Sequence, residues 1–390
     1  LVARFPGYEQ PTRRAIGEYG ELTLEAARAK ARDWHALIRT GKDPRSEEER
    51  TKAEQLRRDK NSFTAVAEEF IKRHVSKMRK AKEVERNIRR EFIDRWAERP
   101  ITNITRHDVM AVLNAAVDRG SPYQAHNLLG YIRRLFNWAI SRGTYGLETS
   151  PCDRLQPVDA IGPKKSRRRI LSDDELRAFW KCTGKTPYPY GPLLQLLLAT
   201  GQRLSMVSEA SRNEFDFNKK LWLIPAERMK GDNPHLVPLT QNVIDIIEGL
   251  PEFRSGDFLF STTYGKKPIR AHSLSKTKRR LDAAMLAELQ RMAGERGDDP
   301  SKVKLAPWVL HDLRRTMRSG LSALPIEEHV RELVIGHVRP GISGVYDLFA
   351  YVEEKRQALE LWGARLRSIV TPPPANVVAL RGQNAQQVSG

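Results

Sequence analysis

Apolar spacing divides the chain into helical stretches separated by segments that cannot pack a core. Leu24, Ala27, Ala31, Trp34 and Ile38 recur at helical spacing behind Thr23, a good N-cap, and before Gly41, a good stop. Ahead of them, residues 1–22 offer only short extended pieces carrying Arg4, Arg13 and Arg14, with Gly17 and Gly20. Residues 43–60 (DPRSEEERTKAEQLRRDK) are charged and poor in apolar side chains, which predicts a linker or a solvated helix. From Ser62 to Arg154 the helical pattern returns. Phe63, Val66, Phe70 and Ile71 mark one stretch, Val109 and Leu113 another, and Leu128, Ile132, Leu135, Phe136 and Ile140 a third. Thr105 with Asp108 predicts a capping box, and Ile104 a staple onto Val109.

A break follows at 157–170, where Pro157, Gly162 and Pro163 precede the basic run KKSRRR and predict an interdomain linker. Ser172 and Glu175 then predict a second capping box, with Leu171 and Leu176 as its staple. Residues 193–199 (LLQLLLA) are apolar enough for a buried helix. LWLIP (221–225) and HLVPL (235–239) predict two strands joined through Lys230-Gly231-Asp232-Asn233. Thr240 starts another helix, and helices continue to Trp362. The tail 371–390 opens on Pro372-Pro373-Pro374 and is expected to be disordered alone, with Val377 to Leu380 as a short strand against a partner. There is no internal repeat. The fold class expected is mainly α with a small antiparallel β-sheet, in several domains. Their expected bounds are 1–42, a linker 43–61, 62–154, a basic linker 155–170, 171–366 and a tail 367–390.

Charge changes the picture. Among 390 residues, 67 Lys and Arg face 48 Asp and Glu, a formal net charge of +19, and a chain this basic most often meets nucleic acid. Arg133 and Arg134 fall off the last helical stripe, and Arg86, Arg89 and Arg90 gather near one face of another helix. Any one of them suits a solvated surface; together they fit a phosphate-contacting face. Lys164, Lys165, Arg167, Arg168 and Arg169 would suit a DNA backbone in the same way. No apolar run approaches the roughly 18 residues of a membrane span, so no membrane role is expected. No basic-then-apolar leader opens the chain, and Leu1 in place of Met makes a missing upstream segment an expectation. Cys152 and Cys182 make neither a disulfide framework nor a zinc set and read as ordinary thiols in a reducing cytoplasm.

The strongest local signal is HDLRRT at 311–316, where His311 and Arg314 share one helix face. Alone, HxxR is common by chance. Its context is ATGQR ending at Arg203, the strand–Lys–strand element around Lys230, LVIGH ending at His337, and Tyr346 in GVYDLFAY. This ordered set resembles the catalytic domain of tyrosine recombinases, and more narrowly the integrases of prophages and genomic islands. The resemblance extends over nearly the whole chain. Residues 1–42 resemble the end of an arm-type DNA-binding domain, and 62–154 a helical core-binding domain.

The resemblance implies a role for each residue. Arg203 and Arg314 would grip the scissile phosphate, with His311 also touching it. Lys230 would be the general acid for the departing 5′ oxygen, His337 would bond the phosphate, and Tyr346 would be the nucleophile. The chemistry suits these side chains. Guanidinium forks match phosphate oxygens and stay charged, and a cluster of cations favours phenolate over phenol. Nothing in the scheme calls for a metal or cofactor. Tyr351, five positions on, competes for the nucleophile; spacing from the Gly-His pair favours Tyr346. His235 is read as structural or DNA-facing, and Asp312 as a local orienter or cap. The chain departs from many relatives at Met206, where Glu often supports the first Arg, and at Leu204, where a second basic residue is frequent.

Implied partners are double-stranded DNA attachment sites, three further copies of the chain in a tetramer on DNA, an excisionase and a DNA-bending accessory protein. The setting implied is the bacterial cytoplasm, at the nucleoid. Two other readings stay open: strand cleavage of the type IB topoisomerase kind, and a non-catalytic DNA-binding or repressor derivative.

Overall fold

The computed structural model describes residues 1–18, 20–164, 166–229, 233–270, 273–337 and 351–372. Contacts divide the chain into two units, residues 1–166 and 167–390.

The first unit opens with an antiparallel pair, β1 (Val2–Ala3) and β2 (Thr12–Arg13), Val2 lying opposite Arg13. Helix α1 (Leu24–Arg39) begins where the Thr23 hydroxyl accepts the Ala26 N–H. Trp34 on α1 is buried and meets Phe5 edge-on at 6.3 Å, while the Arg14 guanidinium lies 4.0 Å over the Phe5 ring. Leu24, expected on the same stripe, is 68% exposed. The charged stretch forms a solvated helix, α2 (Pro44–Lys60), with the pairs Arg45–Glu49 and Arg50–Glu54 one turn apart along it.

The rest of this unit is a helical bundle. Helix α3 (Phe63–Arg73) is followed by α4 (Ala81–Ile88), which runs through a π-turn at Arg89–Ile93 into α5 (Asp94–Trp96). Helices α6 (Arg106–Asp118) and α7 (Pro122–Arg142) complete it. The Thr105–Asp108 box forms, with the Thr105 N–H donated to Asp108 at 2.8 Å, and Ile104 and Val109 are both buried. Phe63, Phe70, Phe92, Leu113, Ile132 and Phe136 lie in one core. The stretch expected to be a break from Pro157 instead starts as a helical turn, α8 (Pro157–Ile161). Its Ala160 and Ile161 find apolar cover on the bundle core, which a reading by composition misses.

The second unit begins with α9 (Asp173–Gly184), whose Ser172–Glu175 capping box is present. Then come α10 (Tyr190–Thr200) and α11 (Leu204–Ser208). A three-stranded antiparallel sheet follows: β3 (Phe215–Asp216), β4 (Leu221–Ile224) and β5 (His235–Pro238), with Trp222 opposite Val237. Two of these strands were expected; β3 is too short to carry a pattern. Helices α12 (Gln241–Glu248), α13 (Leu274–Glu295), α14 (Leu310–Ser322), α15 (Glu328–Val334) and α16 (Val352–Val370) complete the described unit. Helix α10 is buried on nearly every side, as its run of leucines predicts, and the Trp362 indole N–H of α16 reaches its Leu198 carbonyl at 3.1 Å. No helix of the described residues is long and apolar enough to cross a membrane.

Candidate active site

Helix α10 ends at Gly201, whose φ of +64° is a left-handed conformation. A Cβ there would lie 2.7 Å from the Met317 sulfur, so this turn needs glycine both for its backbone and for its approach to α14. Two residues on, Arg203 caps α11. From α14, Arg314 donates through Nη1 to the Gly201 carbonyl at 3.0 Å. The turn thus brings together two arginines 111 positions apart in the sequence.

Their electrostatics are unusual. Arg314 is 4% exposed, and its Nη2 has no partner among the described residues. Burial, together with the neighbouring Arg203 cation, pushes the Arg314 guanidinium down to about 9, still charged at neutral pH. Burial alone lowers Arg203. Among the described residues neither arginine forms an ion pair with a carboxylate, whereas buried cations are normally paired. Two neighbouring guanidiniums of this kind are able to hold an anion between them.

Other expected residues gather here. His311 is exposed on the first turn of α14, and desolvation, Arg315 and Arg314 lower its proton affinity. His337 is bonded through Nδ1 to Glu332, which also takes the Arg318 Nε at 2.7 Å. Burial alone would raise the Glu332 carboxyl, but the His337 and Arg318 bonds outweigh it and hold it below its ordinary value. The Glu332 charge is also felt at Arg314, so His337 belongs to the same cluster. Asp312 is fully buried and caps its helix, accepting the Val309 N–H at 2.9 Å and Arg315 at 2.6 Å. Lys230 and Tyr346 lie outside the described residues. Tyr351 precedes α16 at φ 49° and meets His329 edge-on at 5.4 Å.

Met206, which stands where the resemblance leads one to expect Glu, is core, 2% exposed. The α11 turn is held instead by Arg228, which donates to the Met206 carbonyl at 2.6 Å and the Ser205 carbonyl at 3.1 Å and is paired with Glu214. Gln202 ties the other end, donating to the carbonyls of Thr200 at 3.1 Å and Val334 at 2.9 Å. Reasoning from the sequence missed Gln202, Arg228, Glu332 and the buried Lys355. For two of them a signal existed, since Gln202 lies inside ATGQR and Glu332 stands five before His337.

The other basic residues divide into occupied and open ones. Arg89 is bonded to Glu68 and Glu85, Arg90 to Glu91, Arg133 to the Leu155 carbonyl, and Arg134 approaches the Met78 sulfur at 3.8 Å. Arg167 donates to Asp312 at 2.8 Å and the Pro307 carbonyl at 2.6 Å, and Arg169 pairs with Glu175. Arg86, Lys164 and Arg168 are exposed; Lys165 lies outside the described residues.

Comparison with known proteins agrees with this architecture. The family profile "Arm DNA-binding domain" matches residues 3–51, "Phage integrase central domain" 63–156, and "Phage integrase family" 169–347. The prophage integrase IntZ of Escherichia coli (strain K12) is 25% identical over 368 residues, 92% of this chain and 84% of that one. The integrase of Shigella phage Sf6 is 23% identical over 356 residues, covering 89% and 84%. Among solved structures, a lambda integrase tetramer bound to a Holliday junction aligns with TM-score 0.56 at 16% identity, covering 91% of this chain and 92% of that one. The Tn1549 transposon integrase (aa 82–397), in complex with circular intermediate DNA, aligns with TM-score 0.51 at 17% identity, covering 76% and 97%. With all three of its parts matched in order, the chain belongs to the phage integrase family of tyrosine recombinases.

Proposed function

We propose that this integrase cuts and rejoins DNA at attachment sites through a 3′-phosphotyrosyl link, integrating or excising a mobile element. The observation that carries the reading is Arg314, buried beside the half-buried Arg203, with no carboxylate paired to either among the described residues. A phosphodiester docked there would be neutralised, and the more negative pentavalent transition state favoured further. His311 and His337 would add contacts to the phosphate oxygens. The Tyr346 oxygen would form a bond to phosphorus as its proton is lost. The bond from phosphorus to the 5′ oxygen would break, Lys230 giving its proton to that oxygen. The covalent link conserves the bond energy, so the freed 5′ hydroxyl of either strand can reverse the step.

In this reading residues 1–42 are an arm-type DNA-binding module, 62–154 the core-binding domain and 171–366 the catalytic domain. Of the basic residues singled out for DNA, Arg86, Lys164 and Arg168 are exposed and would face phosphates. Assembly of four copies on two attachment sites is supported by the lambda integrase tetramer on a Holliday junction. An excisionase and a DNA-bending protein would bias direction, in the bacterial cytoplasm at the nucleoid.

The test is covalent capture on a nicked suicide duplex built from the junction flanking the element that encodes this chain. Wild type is expected to yield a protein–DNA adduct stable to denaturant, and Tyr346→Phe to bind the duplex without forming one. An adduct mapped to Tyr351 would move the nucleophile. A wild type that binds and never forms an adduct would leave only the repressor-like reading.

A further inference from the structure

His235 opens β5 and is 7% exposed. It packs on the backbone just before His337: a Cβ added to Gly336 would lie 3.1 Å from His235 Cδ2 and 3.2 Å from Nε2. A backbone hydrogen bond ties the ring to Val334, whose carbonyl also takes Gln202. Because Nε2 has no partner among the described residues, that bond falls to the Nδ1–H, and Nε2 carries a buried, unused lone pair. Burial, Lys355 and Arg314 together push the imidazole down to about 3, so the ring is neutral and Nε2 remains an acceptor at any working pH.

The donors around it narrow the choice. The Lys355 ammonium is already engaged with the Leu236 carbonyl at 2.7 Å. Arg314 Nη2, by contrast, is a buried donor with no partner among the described residues. An acceptor without a donor and a donor without an acceptor thus stand in one buried cluster, and both are costly to leave unmade.

We infer that His235 is a positioning residue for cleavage, its Nε2 accepting the free Nη2–H of Arg314 when a phosphate settles on the arginine pair. The inference rests on the cleavage reading above. His235 would lock the guanidinium plane so that its remaining N–H groups face the phosphorus. It would touch no substrate atom.

Two amide replacements separate the ring nitrogens. His235→Asn keeps a donor near Nδ1 and deletes Nε2; His235→Gln puts an amide oxygen near Nε2 and loses the Val334 tether. The full-length chain is assayed on the same nicked junction duplex, for the single-turnover rate of adduct formation and for its Kd. His235→Asn is expected to slow adduct formation by about 10²-fold at nearly unchanged Kd, with His235→Gln recovering most of the rate. The opposite order, Asn active and Gln slow, or wild-type rates in both, overturns the proposal while the cleavage reading stands. A wild type that forms no adduct removes both. Should the variants fail to fold, imidazole 15N NMR of the wild-type chain decides: the Nε2 resonance should move upfield when the duplex is added, and an unmoved resonance overturns the proposal.

Discussion

Glu91 in the helical bundle and Arg314 beside α10 are almost equally buried, 3% and 4% exposed, yet their charges are treated in opposite ways. Glu91 accepts from Arg90 at 2.7 Å and Arg119 at 3.1 Å, and Gln124 stands at 3.4 Å. Burial alone would raise that carboxyl, and the two arginines more than reverse it. Arg314 has a carbonyl, a second cation nearby and an Nη2 without a partner among the described residues. In the bundle, ion pairing holds helices together. In the second unit no carboxylate pairs with Arg314 among the described residues, an arrangement suited to receiving an anion. A buried charge without its partner is therefore the more informative of the two.

The contrast can be broken at several points. The largest effect is expected at the arginine pair. Arg203→Ala or Arg314→Ala should reduce single-turnover adduct formation by about 10²- to 10³-fold or more, while DNA binding falls only modestly. Arg314→Met should leave the unfolding midpoint unchanged or higher, because it removes an unpaired buried charge. A large loss of stability in Arg314→Met would show that Arg314 holds the fold rather than waits for phosphate.

Gly201→Ala should cost about 2–5 kcal/mol in urea denaturation, from the left-handed backbone and the collision with Met317. It should also slow cleavage, since both arginines hang on that turn. Wild-type stability would mean that the turn relaxes freely.

Glu91→Ala should cost about 1.5–3 kcal/mol, the range for hydrogen bonds to a charged group, and leave the chemical step on bound DNA intact. A selective loss of cleavage at unchanged stability would contradict the division between the two units.

The last effect is read as a pH slope and concerns Lys355, which burial lowers from 10.5 to about 8. Between those values the unfolded chain holds the proton that the folded chain has released, so stability should rise with pH across that window. The slope contributed is at most about 1.4 kcal/mol per pH unit. Lys355→Met should remove that rise when the two proteins are compared by denaturant titration from pH 7 to 10; an identical slope in both would mean that the amine is solvated.

Much of this was legible before any coordinates. Both capping boxes formed where Thr105–Asp108 and Ser172–Glu175 predicted them, since such a box is settled within four residues. The strands at Leu221 and His235 and the buried α10 also followed from local pattern. What escaped has a common cause. Phe5 lacks a periodic neighbour, β3 is two residues long, and α8 depends on a core supplied by other helices. Arg228 on the Ser205 and Met206 carbonyls, and Glu332 behind His337, are partners chosen by proximity in space.

Residue type and order along the chain were enough to determine the helical class, the family and the candidate arginines, because capping, apolar period and motif spacing act over short stretches. Only the tertiary structure decided which cations are already spoken for. Among the described residues Arg89, Arg90 and Arg167 found carboxylates and Arg203 and Arg314 did not, and nothing in the letter R distinguishes them. The reason is physical: the worth of a charge depends on the water it has lost and the counter-charge within a few ångströms, and both are properties of the folded neighbourhood.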